Sequence, residues 1–140
     1  MKNGLLPNVV INYDMPWQKE HLRTLEAAYS STPFFEHYID ELMPVFSTEF
    51  ESLVALNNWT FNTICRILQL ELKVNYTETY FEEKPKIDFR QHRTEQFIDL
   101  KQSYYQLNFD RKMPFIPHLS ILDLLFNHGP ESRIWLKSNF

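Results

Sequence analysis

The chain has 140 residues, enough for one core of ordinary domain size and too few for two independent ones. Its 14 Lys and Arg against 18 Asp and Glu leave a net charge of −4, which provides no global attraction for nucleic acid. Only two glycines, Gly4 and Gly129, are present, so the phosphate-cradling loops of dinucleotide and Walker type are excluded, and the lone Cys65 excludes an intrachain disulfide or a cysteine-rich metal centre.

No apolar run reaches the length of a signal peptide or a membrane span, and with a single cysteine a cytoplasmic setting is expected. Aromatic residues make up 16% of the chain, which raises the question of how many pack a core and how many face a ligand.

In chain order, residues 8–13 carry a β-branched run suited to a short strand, closed by Asp14-Met15-Pro16. Pro16 suits the first turn of a helix over Trp17 to Ser30 with an apolar stripe of Leu22, Leu25, Ala28 and Tyr29. Thr32-Pro33 marks a restart, and the next helix is expected to bury Phe35, Ile39 and Leu42 up to about Met43, with Pro44 bending or dividing it. Thr48 with Glu51 has the form of a capping box opening the longest helix, in which Phe50, Leu53, Val54, Phe61, Ile64, Cys65 and Leu68 recur at helical spacing.

From Leu70 the period changes to alternation at Leu72, Val74 and Tyr76, which predicts a strand that Thr77 to Phe81 extends. Residues 104–109 are compatible with a short helix or a strand. The expected class is therefore α+β, a predominantly helical single domain over residues 1–140 with a small number of short strands.

The most densely punctuated segment is 115–132. Pro117 sets a rigid entry, Ser120 and Asp123 have capping-box spacing, and Asp123 lies in the first turn, where the helix macrodipole favours negative charge. Ile121, Leu122, Leu124, Leu125 and Phe126 cover most of the circumference, leaving a polar edge of Ser120, Asp123 and Asn127. Gly129 stands where a helix closes, and Pro130-Glu131 opens another short helix from Ser132 to Lys137.

Several polar residues are candidates for chemistry, each with a plainer alternative. His21 borders the stripe of its helix beside Trp17, either as a satisfied boundary histidine or as a proton-transfer group. Asn57 among apolar neighbours either bonds a neighbouring element or faces a ligand. Arg90 after Asp88-Phe89 offers a guanidinium for an anion or sugar hydroxyls, or pairs internally, and Tyr104-Tyr105-Gln106 offers aromatic surface beside an amide. Asp123 and Asn127, one turn apart, are either architectural or directed into a cleft. Cys65 on an apolar face reads as a small buried hydrophobe, and the five histidines show no zinc-ligand spacing, so neither metal nor cofactor is expected.

These residues carry a resemblance. Trp17 with His21, Pro33-Phe34-Phe35 with Tyr38, Leu56-Asn57, Asp88-Phe89-Arg90, Tyr104-Tyr105-Gln106 and, above all, Leu119 through Ser132 are similar in kind and order to the C-terminal portion of the WbqC-like protein family. Two departures stand out: the family's aromatic-rich N-terminal opening is missing, and His118 stands where an asparagine is usual.

The resemblance implies a transferase-like role in bacterial surface-polysaccharide biosynthesis, acting on a sugar- or nucleotide-containing small molecule. It marks His21, Asn57, Arg90, Gln106, Asp123 and Asn127 as candidate cleft residues; in an enzyme His21 and Asp123 are the catalytic candidates, and Asn57, Arg90, Tyr105, Gln106 and Asn127 the ligand-binding ones. The rival expectation is a noncatalytic scaffold or homo-oligomerising module that pairs through the Val9–Tyr13 strand. Nucleic acid is not an expected partner.

Overall fold

The computed structural model describes residues 9–76, 116 and 119–139. Among these residues five helices run α1 Trp17–Tyr29, α2 Phe35–Ser47, α3 Leu53–Ile67, α4 Ile121–His128 and α5 Ser132–Asn139, with a 3-10 turn, Gly129–Glu131, joining the last two. Helix α2 is central and touches α1, α3 and α4, while α5 closes on α4.

The described residues contain helices and no strand, which corrects the α+β expectation. Among the described residues, 9–13 have no neighbouring strand with which to form a ladder, and Val10 is 76% exposed. They serve α3 instead: the Val9 carbonyl accepts from Leu53 N at 2.9 Å, and the Tyr13 hydroxyl accepts from Phe50 N at 2.8 Å. Asn12 Oδ1 accepts from Asp14 N at 2.8 Å, a local turn that ends the extended run. The strand expected from Leu72, Val74 and Tyr76 is not formed: residues 71–76 are all exposed and carry no strand pairing among the described residues. The expectations for 77–81 and 104–109 lie outside the described residues.

The helix boundaries show which local signals prevail. Thr32 is buried and donates through Oγ1 to the Tyr29 carbonyl at 2.7 Å, closing α1 rather than capping α2. Pro44 neither ends nor divides α2, which continues to Ser47; proline costs one donor, but the helix resumes its bonding when Thr48 donates to the Pro44 carbonyl through both N and Oγ1. With Thr48 occupied in this way, the cap of α3 passes to Ser52, whose Oγ accepts from Ala55 N at 3.1 Å.

The core comprises Phe35, Tyr38, Leu42, Leu68, Leu125 and Phe126, flanked by Leu25, Tyr29, Ile39, Phe46 and Ile64. Leu125 and Phe126 are fully buried, and each contributes about 1.5–3 kcal/mol by removing its side chain from water. Phe126 is the hub: its ring lies 5.1 Å from Phe35 and 5.2 Å from Tyr29, and its carbonyl accepts from Phe34 N at 3.1 Å. The C-terminal apolar helix is thus locked onto the start of α2. Much of the aromatic excess in this region is core.

Gly129 is required by two independent constraints. Its φ of +53° is unfavourable for residues with a Cβ, and a Cβ built there would stand 2.5 Å from the Phe34 ring. Immediately after it, the fully buried Ser132 donates through Oγ to the Leu124 carbonyl at 3.2 Å and ties α5 back to α4.

Candidate functional site

A cleft of about 370 Å³ opens between α1, α2, α3 and the start of α4. Its walls are mainly Leu25, Leu42, Val45, Phe46, Ile64 and Ile121, and its polar groups are His21, Thr24, Thr60 and Ser120. Mostly apolar walls with a few placed polar atoms are the usual form of a small-molecule pocket.

The polar groups come from α1 (His21 and Thr24), α3 (Thr60) and the cap of α4 (Ser120), and the three hydroxyls have defined bonding states. Thr24 Oγ1 donates to the Glu20 carbonyl at 2.8 Å and Thr60 Oγ1 to the Leu56 carbonyl at 2.9 Å, so both hydroxyls turn their protons back to their own helices and keep lone pairs for a ligand. Ser120 Oγ accepts from Leu122 N at 3.3 Å and retains its own proton to donate. His21 is exposed at the cleft, its ring 5.5 Å from Trp17 in edge-to-face contact, and Trp17 in turn lies 5.8 Å from Tyr13. Among the lining residues, His21 is the one that carries an imidazole.

Gln18, which the sequence reading passed over, holds this wall in place. Its Nε2 donates to the Val45 carbonyl at 2.8 Å and to the Thr48 carbonyl at 2.7 Å, fastening the first turn of α1 to the last turn of α2. Two orphan carbonyls at a helix end are satisfied by one amide. Thr60 was likewise missed; its signal was its four-residue spacing from Ile64, on the apolar face.

Asp123 and Asn127 form a second polar unit, 2% and 1% exposed. Asn127 Nδ2 donates to the Asp123 carbonyl at 2.7 Å and approaches Asp123 Oδ1 at 3.5 Å. Neither lines the cleft, whose α4 wall is Ser120, Ile121 and Leu122. Asn57 is exposed on α3 and is also absent from the lining. Arg90, Tyr105 and Gln106 lie outside the described residues.

Two titrating groups are displaced from their ordinary ranges. Burial, helped by the nearby Glu41 carboxylate, pushes the Tyr38 phenol up, and burial alone pushes the Cys65 thiol up. Cys65 therefore stays protonated at neutral pH, unlike an activated nucleophile. Among the described residues no group of three or more His, Cys, Asp or Glu is arranged to hold a metal ion, and no described helix is long and apolar enough to cross a membrane.

No curated protein and no solved structure matches the chain. The WbqC-like family model matches residues 2–93 and 77–134, so the likeness extends over most of the chain and not only its C-terminal part. On that match, the chain belongs to the WbqC-like protein family.

Proposed function

We propose that this protein is a group-transfer enzyme of bacterial surface-polysaccharide biosynthesis, working in the cytoplasm, and that its reacting centre is the cleft at His21. The observation that carries this reading is the placement of His21 at an apolar cleft whose other polar atoms, on Thr24, Thr60 and Ser120, are already oriented.

The wall composition favours an acyl-type group over a bare sugar, because a ring bearing many hydroxyls would leave most of them unpaired against Leu25, Leu42, Phe46 and Ile64. In this reading the acyl body lies on those side chains, and a hydroxyl or amine of a sugar-containing acceptor enters beside His21. The acceptor heteroatom bonds to the acyl carbon as the bond from that carbon to the donor's leaving group breaks. His21 takes the acceptor's proton and returns it to the leaving group. Ser120 donates to the carbonyl oxygen as negative charge develops there.

Asp123 and Asn127 enter as positioning residues. Asn127 Nδ2 bonds back onto the Asp123 carbonyl within α4, the helix whose cap, Ser120, borders the cleft.

The test incubates the purified chain with a panel of acyl thioesters as donors and nucleotide sugars as acceptors, with product detection by mass spectrometry. Turnover is expected, and His21→Gln should lower it by roughly 100-fold or more with an unchanged melting curve. No product across the panel, or full activity in His21→Gln, would overturn the assignment and favour the noncatalytic scaffold.

A further inference from the structure

A second concavity of about 510 Å³ shares no lining residue with the His21 cleft and has a different chemistry. Helix α2 contributes His37, Tyr38 and Glu41, the end of α3 contributes Arg66 and Gln69, and Arg133 reaches in from α5. Two guanidiniums thus enter from separate elements. Arg66 is paired with Glu41, whereas Arg133 has no acidic partner among the described residues. Its one bond among the described residues is to a neutral acceptor, Gln69 Oε1, at 3.0 Å, which uses one of its five donors and leaves its charge uncompensated by them.

Gln69 is the informative residue. It is the only described non-glycine with a left-handed backbone, at φ +52°. It occupies the closing position of a Schellman motif, in which Leu70 N donates to the Cys65 carbonyl at 2.8 Å and Gln69 N to the Arg66 carbonyl at 3.1 Å. Glycine fits that position without penalty, so a cap alone gives no reason for a glutamine. Its side chain, however, orients Arg133, and with Oε1 accepting, its amide NH₂ is left without an acceptor among the described residues. Strain retained by a side chain that aims a cation into a groove is the pattern of a binding site.

We propose that this groove binds a phosphoryl group of a phosphate-bearing small molecule, with Arg133 as the principal contact, Gln69 as its positioning residue and a second donor, and Arg66 on the facing wall. Guanidiniums and an amide arriving from different directions suit the tetrahedrally disposed oxygens of a phosphate better than the planar edge of one carboxylate. The Tyr38 hydroxyl, kept protonated by its burial, adds a neutral polar group to the floor. The assignment is independent of any role for His21.

Calorimetric titration of the whole chain with inorganic pyrophosphate at low salt, with succinate as the carboxylate control, tests it. Pyrophosphate should bind and succinate should bind at least tenfold more weakly. Arg133→Gln should weaken pyrophosphate binding by tenfold or more. Gln69→Gly should weaken it severalfold while raising the melting temperature, an outcome that a purely structural role for Gln69 does not give. His21→Gln should bind as the wild type does, which separates failure of this site from failure of the cleft. No pyrophosphate binding by the wild type, equal binding of succinate, or wild-type affinity in both Arg133→Gln and Gln69→Gly would overturn the proposal.

Discussion

At Gly129 a left-handed backbone coincides with a Phe34 ring that leaves no room for a Cβ, so Gly129→Ala combines backbone strain with overpacking. A loss of about 2–4 kcal/mol in urea unfolding is expected, and a change under about 0.5 kcal/mol would contradict the packing described. Cys65 and Tyr38 make a second residue-level prediction through their protons. Both groups hold a proton more tightly in the folded chain than in the unfolded one, so the associated stability is complete below their ordinary values of 9.0 and 10.0. It falls as pH rises through the higher folded values. Tyr38→Phe should therefore flatten the alkaline decline in melting temperature. In the native state Cys65 should alkylate slowly at neutral pH, and the reaction should accelerate on adding denaturant.

At the scale of elements, Ser52 and Gln69 bracket α3 and should respond in opposite senses. Ser52→Ala removes the bond to Ala55 N and should cost about 1 kcal/mol. Gln69→Gly relieves the left-handed residue and should stabilise by about 1 kcal/mol, both read from denaturant midpoints.

The same elements show how far the sequence could be read. Helices α1, α2, α4 and α5 follow from apolar spacing and from Pro and Gly punctuation, since those signals act within a turn or two. The start of α3 was misplaced because two neighbouring hydroxyl residues, Thr48 and Ser52, compete for the cap, and the tertiary bond that closes α2 on Thr48 decides between them. Residues 9–13 look like a strand by β-branching, yet a strand exists only with a partner, and their partners are the amides of Phe50 and Leu53. Gln69 carried no local signal, because nothing in a glutamine announces a left-handed backbone.

For the whole molecule, α2 organises two distinct concavities from successive stretches of one helix. His37, Tyr38 and Glu41 face the polar groove, and Leu42, Val45 and Phe46 wall the apolar cleft. Of the residues singled out in the sequence, His21 reaches the cleft because it stands one turn before Leu25 on the inner stripe of α1. Asp123 and Asn127 are turned into the protein, where Asn127 bonds to the Asp123 carbonyl within α4. Spacing alone made them neighbours of each other but could not say which side of α4 would meet the cleft. Asn127→Ala should cost about 1–3 kcal/mol by removing a buried bond to the Asp123 carbonyl, measured by urea unfolding, and should lower turnover only as far as Ser120 is displaced.

The claim that the His21 cleft receives the transferred group is tested most directly by nuclear magnetic resonance of the histidine side chains, assigned by single His→Gln substitutions. The chain is titrated with an acyl-pantetheine thioester, which carries an acyl group and no phosphate. The account predicts that the His21 ring resonances move with saturable dependence on ligand while those of His37, in the polar groove, stay in place. An unmoved His21 at concentrations that saturate binding, or shifts confined to His37, would contradict it.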